Sequence, residues 1–477
     1  MRITRADIKD WRILKSPDVV LETSCAVIIG ENGSGKSTFL ELILTVFELV
    51  YKRLKDPNAI VDIEGFCLEY ETTDKDDVLH HVSFESGYED GHEVGELHVT
   101  IDGSLYTINE DGGEKLKGLL PANIITYYAG ETDRVMNICN YFIAQNLNAV
   151  RKSGNKYTLN PLELPTDVPF IYSDLRHLPI ALMALIANDG ESKTLDKLNL
   201  REESVVYRIN LQKPRWATAG SEDFWGNSSQ LFNDFLSGLI EHALQNPQTS
   251  DAEISIEISA MNLRDYLDEI SIEHRGVFLY QIFDLLYNND LLKNVEVWWK
   301  RRTDEISTSP MSADYFSEGE KQVVMTSALI EFWDKKHCLF LFDEPDTFLH
   351  PKWQSQFLPE VTQGLKESQA IITTHSPLML STIDKGCELF VMKDGQMMSF
   401  GTSTYGMEAS DVIETAMETP PRDNRVAKLL KEAEEAIAEK KIDKAKTMVD
   451  ELEKTGVDQY DIKRLSSTIE RFELLGI

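Results

Sequence analysis

Cysteine is scarce in this sequence, and so is positive charge. The five cysteines (Cys25, Cys67, Cys139, Cys338 and Cys387) are odd in number and far apart, with no C-x-x-C pair. That argues against a disulfide framework or a zinc site and fits a reducing cytosol. Lys and Arg total 48 against 80 Asp and Glu, a net charge of −32 over 477 residues. Such a surface repels phosphate backbones, so any nucleic-acid contact needs a local basic patch or belongs to a partner. The shortage is uneven: residues 61–114 carry 16 acidic residues and a single lysine, Lys75, and read as the solvated face of a β-rich segment. No apolar run approaches the ~20 residues that span a bilayer, and residues 1–10 lack the apolar core of a signal peptide. A cytoplasmic protein with no membrane partner is expected. No heptad is sustained, which excludes a long coiled coil.

What is present is ordinary for a globular chain: 42% hydrophobic and 27% charged residues, with length enough for about three domains. Residues 25–30 read as an apolar strand running into a glycine-rich turn. Phe39, Leu40, Ile43, Phe47 and Val50 then return at helical spacing over 37–53. Short alternating strands are expected over 60–108, and an apolar strand over 123–128. The middle of the chain is mixed, with helical patterns at 175–187, 230–245 and 277–287 and strand-like runs at 205–211, 254–258 and 295–299. A helix over 318–333 precedes strands at 338–342 and 370–373. Beyond 421 the chain turns charged and alanine-rich. Three amphipathic stripes begin there at Val426, Ile442 and Ile462, the pattern of a small bundle or a docking module.

Four short segments carry chemistry. Gly30-Glu31-Asn32-Gly33-Ser34-Gly35-Lys36-Ser37 satisfies G-x-x-x-x-G-K-[ST]. The glycines let backbone N–H groups wrap a β-phosphate at a helix N-terminus; Lys36 reaches the β- and γ-phosphates and the Ser37 hydroxyl ligates Mg²⁺. Thr38 completes the expected nucleotide-binding stretch. The apolar run Leu339–Phe342 delivers Asp343 and Glu344 at its end, Asp343 to hold Mg²⁺ through water and Glu344 to orient or deprotonate the attacking water. His375, in Thr373-Thr374-His375-Ser376-Pro377, follows a third apolar strand, where a γ-phosphate sensor belongs. Phe316-Ser317-Glu318-Gly319-Glu320-Lys321-Gln322 opens a helix, and it has two readings. Ser317 and Glu320 form a capping box without any further function. Alternatively, the free helix N-terminus, with Ser317, Gly319 and Glu320, binds the γ-phosphate of a nucleotide held by another subunit. Trp298-Trp299-Lys300-Arg301-Arg302 interleaves aromatics with charge as single-strand binders do, but reads better as a core strand followed by a solvated basic turn.

Together these segments resemble the ABC-type ATPase heads of the SMC, RecF and OLD group. Phe316–Gln322 is similar to their signature motif, with Glu318 where the L-S-G-G-Q form has its first glycine. Asp343-Glu344-Pro345-Asp346-Thr347-Phe348-Leu349-His350-Pro351 is similar to the soluble branch, D-E-P-x-x-x-L-H-P. Within the group the whole chain most resembles the ATPase subunit of Septu-type anti-phage defence systems, on Tyr127-Tyr128-Ala129-Gly130, Lys213-Pro214-Arg215-Trp216 and Phe224-Trp225-Gly226. No glutamine stands where the group has its Q-loop, and Tyr128 to Glu131 fill that place by position only.

The resemblance implies an α/β fold: an ABC-type split nucleotide-binding head with a mixed α/β-helical insertion and a C-terminal helical module. The expected divisions are 1–132 (N-terminal lobe), 133–308 (insertion), 309–419 (C-terminal lobe) and 420–477 (helical docking module). It implies slow ATP hydrolysis with Mg²⁺ by a homodimer or larger homo-oligomer, each P-loop facing Ser317 and Gly319 of a neighbour. It further implies an HNH-type nuclease docked in trans, and nucleic acid reached through that complex. A RecF- or SMC-like repair ATPase clamping DNA itself is the alternative, disfavoured by the −32 charge. A transporter ATPase is disfavoured by His350-Pro351 and the missing glutamine.

Overall fold

The computed structural model describes residues 1–56, 59–60, 63, 65–87, 96–108, 113–130, 133–152, 169–188, 192–198, 202–217, 223–272, 274–300, 310–334, 337–417, 423–454 and 459–474. They form two compact units, Met1–Tyr405 and Gly406–Ile477.

The first unit is built round a seven-stranded sheet. Its order is Phe170–Ser173, Ile124–Tyr128, Leu339–Asp343, Gln369–Thr373, Cys25–Ile29, Cys387–Lys393, Gln396–Ser399. Neighbouring strands are parallel except at the last pair, where Gln396–Ser399 runs antiparallel. Leu339–Asp343, Gln369–Thr373 and Cys25–Ile29 are buried at every position. A parallel sheet covered on both faces demands continuous apolar runs of this kind. The register sets Asp343 beside Thr373 and Thr373 beside Ile28. The ends of three strands far apart in sequence therefore meet at one crevice outside their carboxyl ends, where open α/β sheets hold ligands.

Helix Lys36–Lys55 leaves this crevice and buries Phe39, Ile43, Phe47 and Val50. The Phe47 ring packs against Tyr70 and Phe84 at 5.8 and 5.9 Å. Those two belong to a six-stranded antiparallel sheet that includes Arg2–Ile8, Phe66–Thr73 and Leu79–Ser86. Leu68, Tyr70, Val82 and Phe84 point into the core by strand alternation. The acidic residues of the same strands take the other face, where Arg2 pairs with Glu71 and Arg5 with Glu69.

Two expected divisions need correction. Helix Arg134–Lys152 and strand Phe170–Ser173, expected in an insertion starting at 133, contribute Val135, Cys139, Phe142, Phe170 and Tyr172 to the same hydrophobic core as the P-loop helix. They bury their apolar faces in that core, so the core extends past position 132. The division expected at 419/420 also moves, because helix Ala409–Thr415 groups with the tail from Gly406 onward. Positions 301–309 and 418–422, which hold Arg301, Arg302 and the other boundaries, lie outside the described residues.

Between Glu202 and Ser312 a five-stranded antiparallel sheet forms, with Val206–Gln212 at its centre between Glu253–Ser259 and Leu292–Trp299. Val295, Val297 and Trp299 are buried, and the Trp298 indole N–H donates to Glu296. Trp298 and Trp299 are thus core strand and its polar edge, as the simpler reading had it. In the second unit, helices Asn424–Ala438, Ile442–Lys454 and Gln459–Leu474 share their own core, including Leu430, Ala433, Ile437, Val449, Leu452, Leu465 and Ile469. No described helix is long and apolar enough to cross a membrane.

Candidate active site

The P-loop is shaped by two close constraints. A Cβ at Gly30 would lie 2.2 Å from the Met392 carbonyl oxygen, so only glycine lets the loop leave its strand beside the neighbouring one. Gly35 caps helix Lys36–Lys55 at φ +116°, a left-handed conformation open to glycine. The Lys36 side chain is buried, and its ammonium donates to the carbonyls of Gly30 (3.1 Å) and Glu31 (3.3 Å). Burial lowers its pKa, opposed by the charges of Glu344 and Asp343. Besides these carbonyls the buried ammonium meets His375 Nε2 at 2.6 Å and Glu344 at 3.9 Å, solvent-open contacts that it can exchange for phosphate oxygens.

Asp343 is 5% exposed at the end of its strand. Burial raises its pKa, and hydrogen bonds from the Thr373 and Ser37 hydroxyls offset this in part. The Ser37 hydroxyl at a helix start and the Asp343 carboxylate at a strand's end make a hard-oxygen pair, which suits Mg²⁺ completed by water and phosphate. Glu344 follows in a left-handed conformation, φ +50°. Its N–H donates to the Thr373 carbonyl (3.2 Å) and hydroxyl (3.0 Å). Holding a non-glycine residue there costs about 1–2 kcal/mol; the turn aims the carboxylate back over the crevice.

Glu344 Oε1 lies 3.1 Å from His375 Nε2 and 3.9 Å from Lys36 Nζ. The hydrogen bond with His375 is the largest cause of a lowered Glu344 pKa, burial opposing it. Glu344 is therefore an ionised carboxylate at neutral pH, as an orienting or basic group must be. The same Nε2 stands 2.6 Å from Lys36 Nζ. One ring nitrogen cannot donate to the carboxylate and accept from the ammonium at once.

Of the expected stretch Glu31, Asn32, Gly33, Ser34, Gly35, Lys36, Ser37 and Thr38, all but Glu31 and Ser34 line this crevice. A cavity of about 860 Å³ opens on it, lined by Asn32, Gly33, Gly35, Lys36, Ser37, Thr38 and Glu344, within the ~300–1,000 Å³ of small-molecule sites. Sequence reasoning missed the rest of its wall: Arg12, Ile13, Glu48, Arg134, Asn137 and Ile138. Arg12 and Ile13 form the tip of a hairpin between Asp10–Trp11 and Leu14–Lys15. Arg12 at φ +54° turns it, and the Lys15 N–H fastens it to the Gly395 carbonyl (2.8 Å). The adjacent Trp-Arg-Ile-Leu carries no spacing rule that points to a nucleotide.

The signature segment forms the expected capping box. Ser317 caps helix Glu318–Trp333, with the Glu320 carboxylate returning to the Ser317 N–H (2.8 Å). Neither Ser317, Gly319 nor Glu320 lines the cavity formed within the chain. Gly319 has a local purpose: a Cβ would lie 2.9 Å from the Phe348 carbonyl oxygen. Gln322, fully buried, accepts from the Phe348 N–H at 3.2 Å. The helix start thus clamps the loop that follows Glu344. On that loop Asp346, also missed, accepts from the Thr374 hydroxyl at 2.7 Å, and burial raises its pKa to about 6. Of the Q-loop substitute, Tyr128 ends its strand and the Ala129 N–H reaches the Asp343 carbonyl (3.4 Å); Glu131 lies outside the described residues. Trp216 and Trp225 donate to the carbonyls of Asn289 and Asp251 and line no part of the cavity.

A family model described as AAA ATPase domain matches residues 1–380. The chain belongs to this family. Within the AAA ATPase family it is 37% identical over 97 residues to the Retron Ec83 probable ATPase of Escherichia coli, 20% of this chain and 18% of the relative. It is 28% identical over 146 residues to the Retron Vc95 probable ATPase of Vibrio cholerae serotype O1 biovar El Tor, covering 29% and 28%. Protein ea59 of Escherichia phage lambda is 35% identical over 86 residues, covering 17% and 16%. The matches span less than a third of these relatives' lengths. Among solved structures, the SMC head domain from Thermotoga maritima aligns at 13% identity and TM-score 0.33, covering 84% of this chain and 99% of that one. The recombination mediator protein RecF aligns at 14% and 0.34, covering 84% and 98%.

Proposed function

We propose that this AAA-family ATPase is a slow, nucleotide-controlled switch and scaffold in anti-phage defence, of the SMC/RecF-like type and most like the ATPase subunit of Septu-type systems. In this reading it regulates an HNH-type nuclease supplied in trans. The observation that carries the ATPase part is the convergence of Lys36, Ser37, Asp343, Glu344 and His375 on one crevice. Two relatives named as retron ATPases support the defence context.

In this mechanism the P-loop N–H groups and Lys36 bind and orient the phosphates. Ser37 and Asp343 would hold Mg²⁺, which when bound neutralises phosphate charge. Glu344 orients the attacking water and accepts its proton at Oε, while His375 holds Glu344 in place and faces the terminal phosphate. Ser317 and Gly319 of a second copy close the site from across a homodimer, so that nucleotide binding drives assembly and hydrolysis releases it.

Lys36→Ala tests the base of this reading, because it leaves the phosphate charge without its buried counterion. Loss of Mg·ATP binding in calorimetric titration is expected, and unchanged affinity would remove the P-loop assignment. The neighbouring gene tests the scaffold role: it is expected to encode a small HNH-type protein that co-purifies with this chain, and its absence or clean separation would end that role.

A further inference from the structure

The cavity wall that sequence reasoning missed carries more positive charge than its own carboxylates balance. Arg12, at the hairpin tip, is paired with the buried carboxylate of Glu41. Arg12 and Arg134 line the same cavity, and burial and then the charge of Arg134 depress the Arg12 pKa. Arg134 has no ion pair among the described residues. Glu48, the acid that also lines the cavity, is paired with Lys52 at 2.8 Å. Arg134 opens helix Arg134–Lys152, and Asn137 and Ile138, three and four residues on, present the same helix face to the cavity. A guanidinium with no ion pair among the described residues, lining a cavity with a second guanidinium in a protein of net charge −32, is a place suited to an anion.

We propose that Arg134 is a ligand for the nucleotide's phosphates: its guanidinium donates to a non-bridging phosphate oxygen of the nucleotide held by the P-loop. The inference rests on the nucleotide-site reading above and adds to it a contact from outside the P-loop, Walker B and signature segments. Arg134 suits the role because its planar fork of donors matches a phosphate's oxygens. Arg12, already engaged with Glu41, supports the field without being free to take the anion. The contact would tie bound nucleotide to helix Arg134–Lys152, which packs on the P-loop helix and on edge strand Phe170–Ser173.

The test is calorimetric titration of the full chain with Mg·ATP and Mg·ADP, comparing wild type with Arg134→Ala and Arg134→Lys. A charge-assisted hydrogen bond to phosphate predicts about tenfold or greater loss of affinity in Arg134→Ala for at least Mg·ATP. Arg134→Lys should recover part of it through charge alone. Thermal unfolding without nucleotide should be unchanged in both variants, since Arg134 is exposed. Wild-type affinity in Arg134→Ala would overturn the proposal, as would an equal loss of nucleotide-free stability with affinity intact. Absence of binding by the wild type would remove the nucleotide-site reading itself, and this inference with it.

Discussion

Replacing Glu344 with glutamine separates the chemistry of its carboxylate from the structure it holds up. The substitution keeps side-chain length and still offers a hydrogen-bond acceptor to His375 Nε2, now 3.1 Å from the carboxylate. The left-handed backbone at φ +50° strains glutamine and glutamate alike, so no folding difference arises there. Glu344 is about one-third exposed, and a pair so open to solvent contributes at most about 1 kcal/mol. Stability should therefore change little. Turnover should change a great deal, because the amide cannot accept the proton of the attacking water. Losing a general base slows a reaction about 10²–10⁴-fold, equivalent to about 3–5 kcal/mol of barrier. Nucleotide binding should persist: Lys36, the P-loop N–H groups, Ser37 and Asp343 are untouched, and removing one negative charge 3.9 Å from Lys36 leaves the ammonium freer to meet phosphate. Phosphate release gives the rate, calorimetric titration the affinity, and light scattering the assembly mass, which should rise with Mg·ATP as the closed state accumulates. Wild-type turnover in Glu344→Gln would refute the catalytic role. Loss of binding with loss of turnover would show that the carboxylate is a structural support of the loop instead.

Gly319→Ala should destabilise the protein by about 1–3 kcal/mol despite alanine's better helix propensity of ~1 kcal/mol, because the added Cβ meets the Phe348 carbonyl at 2.9 Å; a raised midpoint in denaturant titration would contradict the packing argument. His177 gives a pH dependence. Burial disfavours its charge, but hydrogen bonds to Asp174 and Asp284 outweigh this and raise its pKa to about 9. The stabilisation is therefore complete below about pH 6.5 and lost as pH rises through about 9, at most about 3 kcal/mol. The stability gap between wild type and Asp284→Asn should be widest near pH 6 and narrow toward pH 9.5, and a gap independent of pH would exclude this ion pair as its source. Truncation after residue 405 should leave a soluble ATPase, because the helices beyond it form a unit of their own, three of them sharing a core. It should also fail to retain the nuclease partner in pull-down; an aggregated product, or a folded one that keeps the partner, would end the docking role.

Much of the site was legible in the sequence wherever chemistry depends on neighbours along the chain. The turn from Gly30 to Ser37, the acids at the end of Leu339–Phe342, and the Ser317–Glu320 capping box are local geometries. Spacing alone sets which backbone N–H or carboxylate points where. The strands and helices were legible for the same reason, since periods of 2 and 3.6 are properties of short segments.

Tertiary structure decided what lies beside what. Asp343 neighbours Thr373, and Thr373 neighbours Ile28, only because the strand order threads residues 25, 339 and 369 together. Arg12, Ile13 and Arg134 reach the nucleotide crevice through a hairpin and a helix with no motif of their own. Gly319 is needed where the Phe348 loop crosses it, and Phe170–Ser173 joins the head sheet from beyond an expected boundary. These contacts join residues tens to hundreds of positions apart. Apolar periodicity records that a face must be buried but not which other face will bury it. That choice belongs to the packing of the whole chain, where the apolar area removed from water is summed over all faces at once.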